Sequence, residues 1–158
     1  MEREVIAFTK VALPYGWLGN MSPYPIEWEG KTWRTSEALF QALRFSDEEI
    51  REKIREQKSP MAAKMVTKPV KHLKTIEVAS EQDIENMKLC VRLKIEQHPE
   101  LKRQLVETGD RLIVEDVTSR GARGTNLIWG AMLKDGEWHG QNQLGTIWME
   151  LRKQLNNE

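Results

Sequence analysis

Apolar positions fall at helical spacing in some stretches of this chain and gather in short β-rich runs in others. The clearest helix follows Ser80, where Ile84, Met87, Val91 and Ile95 recur three and four residues apart. A second starts at Asn142, placed to cap it, with Leu144, Ile147, Trp148, Leu151 and Leu155 as the inward row. Trp148, on that row, reads as core. Thr35 or Ser36 can cap a third helix, whose apolar face is Leu39, Phe40, Leu43 and Ala42. Ser46 and Glu49 have the spacing of a capping box, with Asp47 beside them, and predict a short charged helix over 47–57 that turns Ile50 and Ile54 inward. Ser59-Pro60 starts another, Met61 to Val66, that Pro69 closes. Pro99 starts one more, and Gly109 ends it.

The β-rich runs are Glu4 to Lys10, Ile26 to Trp28, Lys31 to Trp33, Arg111 to Glu115 and Leu127 to Leu133. Glu29-Gly30 and Asp135-Gly136 are turn pairs. Residues 68–80 carry little pattern. Helices around a small sheet, with strands at the start and near residues 111–133, predict an α+β architecture rather than an alternating one. At 158 residues and with no repeat or linker, residues 1–158 are expected to form a single domain.

Composition narrows the chemistry. Charged residues are 30% of the chain with zero formal net charge, so bulk electrostatics demand no nucleic-acid partner, although a local basic pocket is compatible with them. Cys90 is the only cysteine, which excludes a disulfide framework and a cysteine-built metal site in one chain. His72, His98 and His139 show no zinc spacing. No apolar run reaches transmembrane length and the opening MEREVIAFTK lacks a leader pattern, so the expectation is a cytoplasmic protein without a membrane partner. Six tryptophans in so polar a chain are enough to serve both a core and a stacking site for bases or sugars.

The candidate chemistry centres on TWRTSEALFQALRF, residues 32–45. Glu37, Gln41 and Arg44 stand four and three residues apart, so a carboxylate, an amide and a guanidinium share one side of the helix. That row is either a solvated face or the edge of a site. Before it lies VALPYGWLGNMSPYPIEW, too rich in aromatics for a linker, where Asn20 either reads a polar ligand or closes a turn. Further on, VTSRGARGTN brings Arg120 and Arg123 into a glycine-containing loop, which serves equally as a phosphate site or as a flexible hairpin. Met87 and Cys90 read as core filler, and Lys88, Arg92 and Lys94 as decoration on the other faces of their helix.

The ordered motifs GWLGNMSPYPI, TWRTSEALFQALRF, SPMAAK, ETGDRLIVE, LIWGA and GQNQLGTIWMELR resemble the YbiA-like family, also called the NADAR superfamily, from about residue 15 to residue 155. The resemblance implies an α+β N-glycosyl hydrolase that uses neither metal nor cofactor. One branch of the family cleaves phosphoribosylamino intermediates of riboflavin synthesis. Another removes ADP-ribose from guanine in nucleic acid. Carried over by position, the resemblance makes Glu37 the essential acid and places Asn20, Trp33, Gln41, Trp129, Gly130 and Asn142 in the substrate site, with Leu144, Gly145 and Arg152 in the closing motif.

The chain departs from many relatives in having Arg44 where they have lysine and Asn126 where they have aspartate, and it lacks an Arg-x-Asp-Trp in residues 70–80. A lysine amine can form a Schiff base with an opened ribose and an arginine cannot, so an amine, if the chemistry needs one, comes from Lys64 or Lys94. The missing motif counts against the riboflavin-type substrate. The expected enzyme uses Glu37 as general acid/base with Lys64 and Asn126, binds ribose through Asn20 and Asn126, meets phosphate with Arg44, Arg120 and Arg123, and stacks the base on Trp33 or Trp129. Its expected substrate is an ADP-ribosylated base or other nucleotide sugar, with nucleic acid as a carrier. A riboflavin-intermediate N-glycosidase and a non-catalytic ADP-ribose or NAD-binding module are the alternatives.

Overall fold

A computed structural model of the protein describes residues 4–158, so the first residues of MEREVIAFTK, read above for a leader, lie outside the described residues. The chain forms two compact units. One joins the N-terminal segment through Gly19 to Pro99–Glu158, and the other is Asn20–His98. The architecture is α+β, with helices predominating over short strands.

In the first unit the N-terminal strand β1 (Ile6–Phe8) is followed by a 3-10 turn, Gly16–Leu18. The second unit opens with β2 (Ile26–Trp28) and β3 (Lys31–Trp33), an antiparallel hairpin. Glu29 and Gly30 both have positive φ, 47° and 79°, which gives the two-residue turn the twist of its strands. Helices α1 (Ser36–Leu43), α2 (Glu48–Arg55) and α3 (Pro60–Met65) follow, then a 3-10 segment over Lys68–Leu73 and the long α4 (Glu81–Gln97). Helix α1 packs on α2, α3 and α4, and all of its residues are buried. Thr35, one of the two candidates at its helix, caps α1, and Ser59 and Ser80 cap α3 and α4. At α2 the cap is Asp47 rather than Ser46: its carboxylate accepts from the Glu49 and Ile50 amides at 2.8 and 3.2 Å.

The first unit resumes with α5 (Pro99–Glu107), β4 (Ile113–Glu115), α6 (Asn126–Trp129), β5 (Met132–Lys134), β6 (Glu137–His139) and α7 (Gln143–Asn156). Strand β1 pairs in parallel with β4, so the start and the middle of the chain meet, and the described strands form three two-stranded pairs instead of one small sheet. Strands β5 and β6 form a hairpin about Asp135-Gly136. The run from Leu127 to Leu133 is not one strand. Its first part is a helical turn closed by Gly130 N–H donating to Asn126 O at 2.8 Å, and only from Ala131 does it extend. Periodicity alone does not separate a short apolar strand from a half-buried helical turn.

Trp148 confirms its core reading. It is fully buried, its indole N–H donates to Leu18 O at 2.9 Å, and Trp17 meets it edge-on at 5.7 Å. Asn142 starts α7 without capping it by side chain. It sits at φ 52°, where its Nδ2 donates to Ile113 O at 2.8 Å and its Oδ1 accepts from Glu115 N–H at 3.0 Å. The amide thus pairs with β4 as a strand neighbour would. Gly145 permits this approach, since a Cβ there would lie 2.2 Å from Ile113 O. Among the described residues no helix is long and apolar enough to cross a membrane.

Candidate active site

Glu37, Gln41 and Arg44 do share one side of α1, and that side is not solvated: their exposures are 8%, 4% and 6%. Glu37 lies in the first turn, where the helix dipole favours a carboxylate. Gln41 Nε2 donates to Glu37 Oε1 at 2.9 Å, and Arg44 Nη1 reaches Gln41 Oε1 at 3.5 Å. Arg44 in turn forks onto Asp83, with Nε to Oδ1 and Nη2 to Oδ2 both at 2.9 Å, and lies over the Phe40 ring at 4.4 Å. Asp83 also accepts the Ala79 amide at 2.8 Å. A chain of polar contacts therefore runs from Asp83 through Arg44 and Gln41 to one oxygen of Glu37. Among the described residues the other oxygen, Oε2, accepts no hydrogen bond from protein.

Asn20 holds the head of the helix. Its backbone carbonyl accepts from Glu37 N–H at 3.1 Å and from Ser36 Oγ at 3.1 Å, while its Oδ1 is also 3.1 Å from that hydroxyl and its Nδ2 points to Met87 Sδ at 3.0 Å. One face of α4 meets these groups. Asp83, Met87, Cys90 and Lys94 stand four, three and four residues apart and are all buried. The Cys90 thiol is pushed up by burial and then by the charges of Glu37 and Asp83, so it stays protonated. Asp83 escaped the sequence reading altogether. Its place four residues before Met87, on the apolar row, was the available signal.

Lys94 is the larger surprise. Read as surface decoration, it is fully buried, with Nζ 2.7 Å from Ser22 Oγ and 5.4 Å from the Tyr24 ring centre. Burial lowers its pKa from 10.5 to about 7. The native state then binds fewer protons than the unfolded chain between about 7 and 10.5, so stability rises with pH across that window, by up to about tenfold in the folding constant per pH unit. Below 7 the cost of burying the ammonium is present in full. Lys94→Met is therefore expected to raise the melting temperature, and to raise it more at pH 6 than at pH 9. Equal shifts in thermal melts at the two pH values would exclude a buried, titrating amine.

Of the remaining expected residues, Lys64 and Trp33 lie in the same unit as Glu37 and the others in the first unit. Lys64 is exposed on α3. Trp33 is 2% exposed, so its ring faces are packed by protein, and its Nε1 is the one buried side-chain polar atom without a partner among the described residues. In the other unit, Asn126 Nδ2 donates to Gly121 O at 2.9 Å, Trp129 is half-buried, and Gly130 is required because a Cβ would lie 2.5 Å from Glu115 O. Arg120 and Arg123 are exposed, with Arg120 3.7 Å from Glu115. The structure thus gathers Asn20, Glu37, Gln41 and Arg44. It engages the Asn20, Arg44 and Asn142 side chains in holding the frame.

A buried glutamate with one oxygen hydrogen-bonded to a neighbouring amide, on an α+β frame, has the chemistry to take or give a proton. The NADAR domain family matches residues 7–156. The chain is similar to the N-glycosidase YbiA of Escherichia coli (strain K12), 38% identical over 159 residues that cover 98% of this chain and 91% of that protein. Riboflavin biosynthesis protein VVA0006 of Vibrio vulnificus (strain YJ016) is 29% identical over 89% of this chain, but over only 36% of its own length. The NMR structure of Escherichia coli YbiA matches the fold with a TM-score of 0.79 and 35% identity, over 99% of this chain and 88% of that one. The chain belongs to the NADAR domain family and is a hydrolase acting on N-glycosyl bonds.

Proposed function

We propose that this N-glycosidase removes ADP-ribose from an N-linked base, with guanine as the foremost substrate. The reaction breaks the bond between ribose C1 and the exocyclic nitrogen; water supplies oxygen to C1 and a proton to the departing amine. Glu37 carries that proton, taking it from water or giving it to nitrogen. The observation that carries the reading is the buried Glu37 carboxylate, with Oε1 fixed by Gln41 and Oε2 available. Between the two lysines weighed as amine donors, burial favours Lys94. With a pKa of about 7, a good share of its amine is neutral near neutral pH, whereas Lys64 is exposed.

The absence of Arg-x-Asp-Trp from residues 70–80 supports the guanine substrate over a riboflavin intermediate. The Vibrio relative's name favours the second reading, hydrolysis of a phosphoribosylamino pyrimidine. Offering ADP-ribosylated guanine in DNA or RNA beside such a pyrimidine, with released base followed by mass spectrometry, separates the two. Release from guanine alone is expected, and release from the pyrimidine alone overturns the proposal. Calorimetric binding of ADP-ribose with neither product formed would instead mark a binding module.

A further inference from the structure

Between Glu56 and Glu77 the chain has no acidic residue, yet it carries Lys58, Lys64, Lys68, Lys71 and Lys74 together with His72. In a protein of zero formal net charge this is a concentrated positive region. Lys58, Lys64, Lys68, Lys71 and His72 are exposed, and Lys74 is half-buried. Some other basic side chains on the surface are matched, Lys31 with Glu52 at 3.1 Å, Lys88 with Glu85 at 3.2 Å and Lys102 with Glu158 at 3.6 Å, while Arg34 and Lys53 stand exposed without an ion pair among the described residues. Among the described residues none of these five lysines forms an ion pair.

The local backbone keeps the charges close along the chain. Lys68 lies in one 3-10 turn and Lys71 in a second, parted by a kink at Val70, φ −114°, and Lys74 follows at the end of the second turn. Met61, Met65 and Leu73, exposed by 53%, 45% and 47%, lie in the same segment as apolar surface. The segment then runs into the site: Thr75 N–H and Ile76 N–H donate to Arg44 O at 2.8 and 3.3 Å. Burial and then the Arg44 charge lower the Lys74 pKa, the Asp83 carboxylate opposes that, and Lys71 lowers it further.

We propose that the surface of residues 58–74 binds the phosphate backbone of a nucleic-acid strand, with the strand lying along the lysines and the modified base entering the Glu37 row. Lysines act as point charges, and a run of them neutralises successive phosphates without a fixed geometry or base preference. A polyanion whose repeating unit also carries an N-glycosyl bond fits both the patch and the site at which it ends. The second half of the proposal rests on the function proposed above; the binding surface does not.

The test uses the full chain and an unmodified, fluorescently labelled single-stranded oligonucleotide of mixed sequence, followed by anisotropy across salt concentrations. Lys68→Gln/Lys71→Gln removes two exposed charges outside the site. The wild-type protein is expected to bind with strong salt dependence, and the double variant to lose about 1.4 from the slope of log K against log salt. Its circular dichroism and its hydrolysis of a free N-ribosyl substrate are expected to stay unchanged. Unaltered slope, or no salt-dependent binding, overturns the proposal. So does equal binding of polyglutamate, or binding of phosphatidylserine vesicles in place of the oligonucleotide. Because the oligonucleotide is unmodified, failure of the hydrolysis proposal leaves this result standing, and the reverse also holds.

Discussion

Glu37→Gln is expected to lower turnover of an N-ribosyl substrate by about 10²–10⁴-fold, the span associated with loss of a general acid or base. The substitution keeps the shape and keeps a carbonyl oxygen to accept from Gln41 Nε2, now 2.9 Å from Oε1. What disappears is the ability to carry a proton. The lost negative charge in the first turn of α1 weakens the helix by only about 0.3–1 kcal/mol. The variant should therefore melt near the wild-type temperature while kcat/KM collapses. Turnover surviving within about tenfold, in a folded variant, would remove Glu37 from the chemistry.

Asp83→Ala is expected to cost about 3–5 kcal/mol of stability, because it strands the Arg44 guanidinium in the interior. Asp83 is fully buried and holds Arg44 by two bonds of 2.9 Å, so no solvent takes its place readily. The Ala79 amide, in a segment where that residue adopts φ 63°, loses its acceptor as well. Urea denaturation reads the effect, and a loss under about 1 kcal/mol would mean that the pair contributes no more than an exposed one. Arg44→Met in the Asp83→Leu background removes both charges and is expected to recover much of the loss, since breaking a buried pair costs more than replacing it with apolar groups. In Asp83→Ala itself activity should also fall, because Arg44 no longer braces Gln41 against Glu37.

The sequence alone determined the elements whose signals are local. Thr35 and Ser80 announce α1 and α4, Glu29-Gly30 announces the hairpin, and the spacing of Glu37, Gln41 and Arg44 places them on one side of a helix. Local rules also pointed to Ser46 where Asp47 is the cap, and to a strand at Leu127 to Trp129 where a helical turn forms, because a few residues satisfy either pattern. Only the tertiary structure decided what faces that side. Arg44 meets Asp83 across 39 residues, and Lys94 meets Ser22 across 72. A helical repeat says which side chains share a face, but whether that face is wet or dry depends on the partner that covers it. That partner, α4, is distant along the chain. Its packing against α1 turns a row that could have been solvated into a buried one.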